Sequence, residues 1–184
     1  TRLKAILTTP RAQLVMVDTP GIHKPHHLLG ESLVKLARGT IGEVDLVLLL
    51  LEGNKFPGKG DCFIVEILKK QKAPVFVLLN KSDLLEKNQS EIEKSYQKLL
   101  EETKWPILKC SAVTGQGCDK LKNNIENILP LGPQLYPPEM ICDQPEKVLI
   151  AELIREQVLM HTREEIPHSV AVNIERIEDL ITNK

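Results

Sequence analysis

The sequence predicts an α/β fold, three layers built around a mostly parallel sheet, on three observations. Aromatic residues make up only 3% of the chain, so core packing falls to Leu, Ile and Val. Two apolar runs of strand length, 44–51 (interrupted by Asp45) and 73–79, suit parallel strands buried on both faces, and the first carries the signature of a central strand. Helical stretches lie between such runs, and that alternation implies βαβ units with right-handed crossovers.

Taken in order, residues 3–7 and 13–17 are short strand-like runs flanking a Thr-Thr-Pro-Arg turn, and read as a hairpin. Asp18 follows at once. Residues 28–41 carry helical periodicity. After the run 44–51, the polar stretch 52–60 reads as a loop, Asp61 as the cap of a helix over 62–70, and 73–79 as the next buried strand. Residues 90–102 read as an exposed, charged helix, 107–110 as a short strand, and 119–129 as a helix begun by a capping residue.

Residues 130–145 hold five of the twelve prolines and read as a stiff linker. Beyond them, 146–161 reads as a strongly amphipathic helix with Leu149, Ile150, Leu153, Ile154 and Val158 along one face. Residues 170–177 alternate like a half-buried strand. One helix and one strand cannot bury a core alone. This C-terminal segment is therefore expected to dock on the first domain or to begin a second, incomplete one.

With 184 residues the chain has room for one domain, or one and a fraction. A net charge of −1 exerts no global pull toward nucleic acid or anionic membrane, so RNA contact must be local. DNA is not an expected partner. Cys62, Cys110, Cys118 and Cys142 form neither a C-x-x-C pair nor a metal-ligand spacing, which predicts reduced thiols in a cytoplasmic setting. No apolar run reaches the roughly 18 residues of a membrane span, and the N-terminus shows no signal or transit sequence. The chain opens Thr-Arg-Leu without an initiator methionine and reads as a fragment or a processed form.

Three short boxes carry chemistry. Asp18-Thr19-Pro20-Gly21 follows a strand, where α/β sheets place their ligand loops. In a phosphate-cradling NTPase, a carboxylate here sits near Mg²⁺, and a bare glycine lets an N–H approach the γ-phosphate. Alone, the tetrapeptide is equally a good β-turn. Asn80-Lys81-Ser82-Asp83, just beyond the strand 73–79, changes the balance. Guanine presents N1–H and N2–H₂ as adjacent donors, and the Asp83 carboxylate is predicted to accept from both. Adenine lacks that pair and would leave the carboxylate unpartnered. Asn80 is expected to brace neighbouring loops, and the Lys81 stem to lie over the base. Ser111-Ala112 follows the strand 107–110, and the Ala112 N–H is the expected donor to guanine O6.

A phosphate loop, G-x-x-x-x-G-K-[ST], should follow the first strand, and nothing precedes Thr1 to supply it. Residues 53–59 match G-x-x-x-x-G-K. Gly60, however, stands where the Mg²⁺-binding hydroxyl belongs, and Pro57 removes a backbone donor, so this stretch reads as a surface connection. His23, His26 and His27 lie beside Pro25 in loop context, which spoils helical ligand geometry and favours a switch segment over a metal site. Ile22 occupies the place of the water-positioning Gln of Ras-like enzymes, so slow intrinsic hydrolysis is expected.

These boxes, together with Asp143-Gln-Pro-Glu-Lys-Val-Leu-Ile-Ala-Glu-Leu-Ile-Arg-Glu-Gln-Val and Arg163-Glu-Glu-Ile-Pro-His-Ser-Val-Ala-Val, resemble the Era family of bacterial GTPases, nearest in wording to its cyanobacterial or chloroplast-type members. The resemblance implies a P-loop-NTPase-like G domain over residues 1–129, a linker over 130–145 and the start of a KH-like RNA-binding domain over 146–184. It implies GTP or GDP with Mg²⁺ at Asp18 as ligands. Small-subunit ribosomal RNA and the small ribosomal subunit would be partners, with peripheral association at the inner membrane in some members. Against that, residues 146–184 carry eight acidic and five basic side chains and stop before any G-x-x-G loop. Two other readings stay open: a different assembly or tRNA-modifying GTPase, and a degenerate, nucleotide-free module that binds RNA or the ribosome.

Overall fold

A computed structural model of the chain describes residues 4–17, 44–84, 88–161 and 170–177. The chain divides into two compact units, one of residues 19–133 and one of 1–18 with 134–184. The predicted helix over 28–41 lies outside the described residues.

The larger unit is built on a parallel sheet of β3 (Val47–Glu52), β4 (Val75–Asn80) and β5 (Ile107–Lys109), in the order β3-β4-β5. The α/β class is thus as expected. The central strand is β4, with every residue from Val75 to Leu79 buried. The run over 44–51, expected to be central, instead forms an edge among the described strands, and its Leu50 is 60% exposed. An apolar run reports that a strand can be buried on both faces, not that both faces are covered.

Helices follow the strands in alternation: α1 (Lys59–Leu68), α2 (Gln89–Leu100) and α3 (Cys118–Glu126). Leu49 and Leu51 of β3 and Val75, Val77 and Leu79 of β4 share one sheet face through the two-residue period of a strand. They pack with Val65 and Leu68 of α1 and with Ile92, Tyr96 and Leu100 of α2, a helical i, i+4, i+8 stripe. The helix that reads as charged and exposed therefore buries a full face.

Two helix starts differ from the sequence reading. α1 begins at Lys59, with Gly58 as its cap, and Asp61 lies inside the first turn, its carboxylate accepting the Gly58 N–H at 2.7 Å. α3 begins at Cys118 behind Gly117, whose φ of 81° a side chain rarely adopts. A Cβ at Gly117 would lie 2.4 Å from the Lys109 carbonyl oxygen. Packing of the turn against β5 thus selects glycine as the cap, and Asp119 pairs with Lys122 on the surface instead.

In the smaller unit, β1 (Lys4–Thr8) and β2 (Gln13–Val17) form the predicted antiparallel hairpin. The proline-rich stretch runs along it. Ile6 N–H donates to Ile141 O at 2.9 Å, and the Gln13 side chain accepts from the amides of Leu135 and Tyr136, each at 2.9 Å. Next comes α4 (Glu146–His161), with the predicted bounds but with no buried residue; Leu153 is 61% exposed. Residues 170–177 form no strand: a strand exists only through a ladder partner, and none pairs with them among the described residues.

Candidate functional site

In a parallel sheet all strands point one way, so the loops after β3, β4 and β5 emerge at a single edge. The register sets Glu52 beside Asn80 and Leu79 beside Lys109. The two boxes described, Asn80–Asp83 and Ser111-Ala112, leave the sheet side by side.

Hydrogen bonds knit the loops together. Asn80 Oδ1 accepts the Ala112 N–H at 3.0 Å, and Ser82 N–H donates to Cys110 O at 3.1 Å. The Cys110 thiol, pushed above its ordinary pKa chiefly by burial, lies 3.8 Å from the same Asn80 oxygen. Asn80 thus braces the neighbouring loop, as its position suggests. Ser111 is wholly buried: its N–H donates to Gln116 O at 2.9 Å, and its Oγ accepts the Thr114 N–H at 3.1 Å. Gly115, at φ 78°, closes the turn by donating to Ser111 O at 2.9 Å.

Asp83 is exposed, and its carboxylate makes no hydrogen bond or ion pair among the described residues, so its lone pairs face solvent at the loop tip. The Ala112 N–H, in contrast, is already donated to Asn80. A base oxygen at this edge would share that proton or meet the next amide, Val113, whose residue is 87% exposed and whose N–H makes no bond among the described residues. Sequence reasoning missed Val113 because a backbone donor is independent of the side chain that carries it.

Lys81 adopts a left-handed φ of 64°, costly for a non-glycine residue, and its Nζ bonds Glu52 Oε1. Glu52 also pairs with Lys55 at 2.6 Å. Hydrogen bonds from Lys55 and then Lys81 hold its carboxyl down at about 2. Asn54 Oδ1 and Ser82 Oγ, both buried, find no partner among the described residues.

Residues 53–59 do not form a phosphate cradle. A Cβ at Gly53 would lie 3.0 Å from both the Asn80 carbonyl oxygen and Leu79 Cβ, so this glycine serves strand packing. The N-terminus of α1, where an anion would bind, already receives the Asp61 carboxylate. Asp18, Thr19, Pro20 and Gly21 lie outside the described residues, as do Ile22, His23, His26 and His27. No group of three or more His, Cys, Asp or Glu side chains is gathered for a metal among the described residues, nor is any helix among them long and apolar enough to cross a membrane.

A parallel sheet whose successive strand-end loops carry Asn-Lys-x-Asp and Ser-Ala defines a class, and residues 3–131 match the family model of the elongation factor Tu GTP binding domain. The chain belongs to that family. Within it, the resemblance to Era extends over nearly all of this chain. The chain is 49% identical over 178 residues to GTPase Era of Crocosphaera subtropica, covering 97% of this chain and 57% of that protein. It is 46% identical over 173 residues to GTPase Era of Clostridium botulinum strain Okra, covering 94% and 58%. The crystal structure of Era in complex with MgGDPNP and nucleotides 1506–1542 of 16S ribosomal RNA superposes with a TM-score of 0.76 at 32% identity, covering 96% of this chain and 60% of that one. The chain thus spans somewhat over half the length of the curated relatives it matches.

Proposed function

We propose that this chain is the guanine-reading part of an Era-like GTPase, with Asp83 accepting from the base N1–H and N2–H₂ and the amides of Ala112 and Val113 facing its O6. The observation that carries this is the Asn80 Oδ1 bond to the Ala112 N–H, which locks the two boxes into one edge beside the exposed Asp83 carboxylate, unengaged among the described residues. Asn80 and Ser111 act as braces, and the Lys81 stem covers the base.

The phosphate side of the reading rests on Asp18, Thr19, Pro20 and Gly21, with Asp18 as the Mg²⁺-side carboxylate and Gly21 as the γ-phosphate amide. The described residues offer no donor set for Mg²⁺, and no step of the reading runs through it. The domain division proposed is the one read from the sequence, a G domain over 1–129, a linker over 130–145 and a KH-like start over 146–184, although the compact units group residues 1–18 with 134–184 instead. Similarity to Era beyond residue 131 supports that last part. The partner class is small-subunit ribosomal RNA, which the similar Era structure holds together with MgGDPNP. The setting is cytoplasmic. Hydrolysis is slow, because Ile22 cannot polarise water.

Titration of the isotope-labelled chain with GDP, ADP and xanthosine diphosphate, followed by amide shifts, tests the base reading at any affinity down to millimolar. GDP is expected to bind weakly and ahead of ADP, and Asp83→Asn to move preference from GDP to xanthosine diphosphate by about tenfold or more, as expected for a charge-assisted pair of bonds. A chain that binds GDP and ADP alike, with no change in Asp83→Asn, would instead be a nucleotide-free RNA or ribosome module.

A further inference from the structure

The end of β3 carries a carboxylate that none of the guanine-reading boxes includes. Glu52 stands in register with Asn80, and its Oε1 receives Lys81 Nζ from across the edge. The backbone that presents it is pinned from several sides. The Tyr96 hydroxyl, on a residue only 1% exposed, donates to Glu52 O at 3.2 Å. Gly53 N–H donates to Asn80 O at 2.8 Å, and Gln89 Nε2 to Gly53 O at 3.1 Å. Glu52 is thus a side chain of fixed origin reaching the one lysine of the Asn80–Asp83 box.

A free lysine stem samples many rotamers, and ordering it against a ligand costs binding free energy. An ammonium already held at its far end spares part of that cost. We propose that Glu52 is a positioning residue of the guanine site: by gripping the Lys81 ammonium, it holds the lysine's methylene stem extended along the loop, where it covers the purine face. Lys55, on the other carboxylate oxygen, neutralises Glu52 without entering the site. This role rests on the guanine reading above. The Lys81 and Glu52 side chains are 42% and 43% exposed, so the grip is worth what an exposed ion pair is worth, about a two- to fivefold change in affinity.

The experiment is a double-mutant cycle on the full chain, with GDP as the probe and amide shifts as the readout. Glu52→Gln should weaken GDP about two- to fivefold. Lys81→Met keeps a stem without the ammonium, and Glu52→Gln added to it should cost nothing further. Lys55→Gln should leave GDP affinity within about twofold. If GDP is preferred to ADP but Glu52→Gln binds like the parent, or weakens Lys81→Met by the same factor, the positioning role is overturned while the guanine reading stands. A Lys55→Gln loss equal to that of Glu52→Gln would also overturn it, since the carboxylate would then act through the wrong lysine. Loss of GDP-over-ADP preference in the parent chain removes both.

Discussion

The loops that follow β4 and β5 and the helix α4 answer to opposite demands. In the loops, Asn80, Ser82, Ser111, Thr114 and Gly115 are tied by bonds of 2.9 to 3.1 Å, and Ser111 has no exposed surface. In α4, sixteen residues form a regular helix of which none is buried. A groove of about 670 Å³ runs along it, lined by Ile141, Leu149, Leu153, Leu159 and Met160. The apolar residues of α2 gather into one stripe that packs on the sheet, whereas those of α4 are spread around the helix, so the strong amphipathicity read over 146–161 is not borne out and no face of α4 is buried. The difference teaches that local pattern sets which residues line a face, whereas long-range packing decides whether that face contributes to stability.

The largest effect expected on this contrast comes from the core behind the loops. Tyr96→Ala removes a buried ring and the hydroxyl bonded to Glu52, and should cost about 3–5 kcal/mol in urea unfolding. Leu153→Ala on α4 should change stability by less than about 0.5 kcal/mol, because its side chain is already solvated. Comparable losses at the two sites would break the contrast and show that α4 is buried in the folded protein.

Next in size is Gly117→Ala. The added Cβ meets the Lys109 carbonyl oxygen at 2.4 Å and must hold φ at 81°, so about 1–3 kcal/mol of destabilisation is expected, with amide shifts spreading to Ser111 and Ala112. Gly115→Ala carries a similar φ of 78° with open space around its Cβ, and should cost less. Equal costs would mean that the close approach to β5 is not what selects glycine at 117.

Much of this was readable from residue patterns. The strands over 13–17 and 107–110, the helix over 146–161 and the placement of Asn80 and Ser111 at strand ends follow from apolar runs bounded by polar turns. What escaped shares one cause. The Lys81 contact with Glu52 and the Gly53 approach to Asn80 join segments distant in the chain, and the Gly117 approach to Lys109 depends on how the turn after β5 folds back on its strand. No local period encodes such pairings. Asp61 and Asp119 both read as caps, and both sit within the first turn of helices whose true caps, Gly58 and Gly117, are set by backbone packing or by a carboxylate reaching back. Residues 170–177 show the converse: alternation with no ladder partner among the described residues makes no strand.

The smallest effect tests the edge itself through pH. Glu52 has its folded pKa lowered from 4.5 to about 2, first by Lys55 and then by Lys81. A carboxyl whose folded value is depressed stabilises the fold above its unfolded value, so the contribution is complete above about 4.5 and is lost as pH falls toward about 2. The pair is exposed and screened, which keeps the contribution to a fraction of what the shift alone would imply. Glu52→Gln should therefore unfold at a slightly lower urea midpoint than the parent at pH 7, and the gap should narrow between pH 4.5 and 2 and shrink in high salt. A gap that persists unchanged at pH 2 would locate the effect in packing of the side chain rather than in its charge. Glu52 would then belong with the buried residues behind the edge, not with the ionic contacts that lie along it.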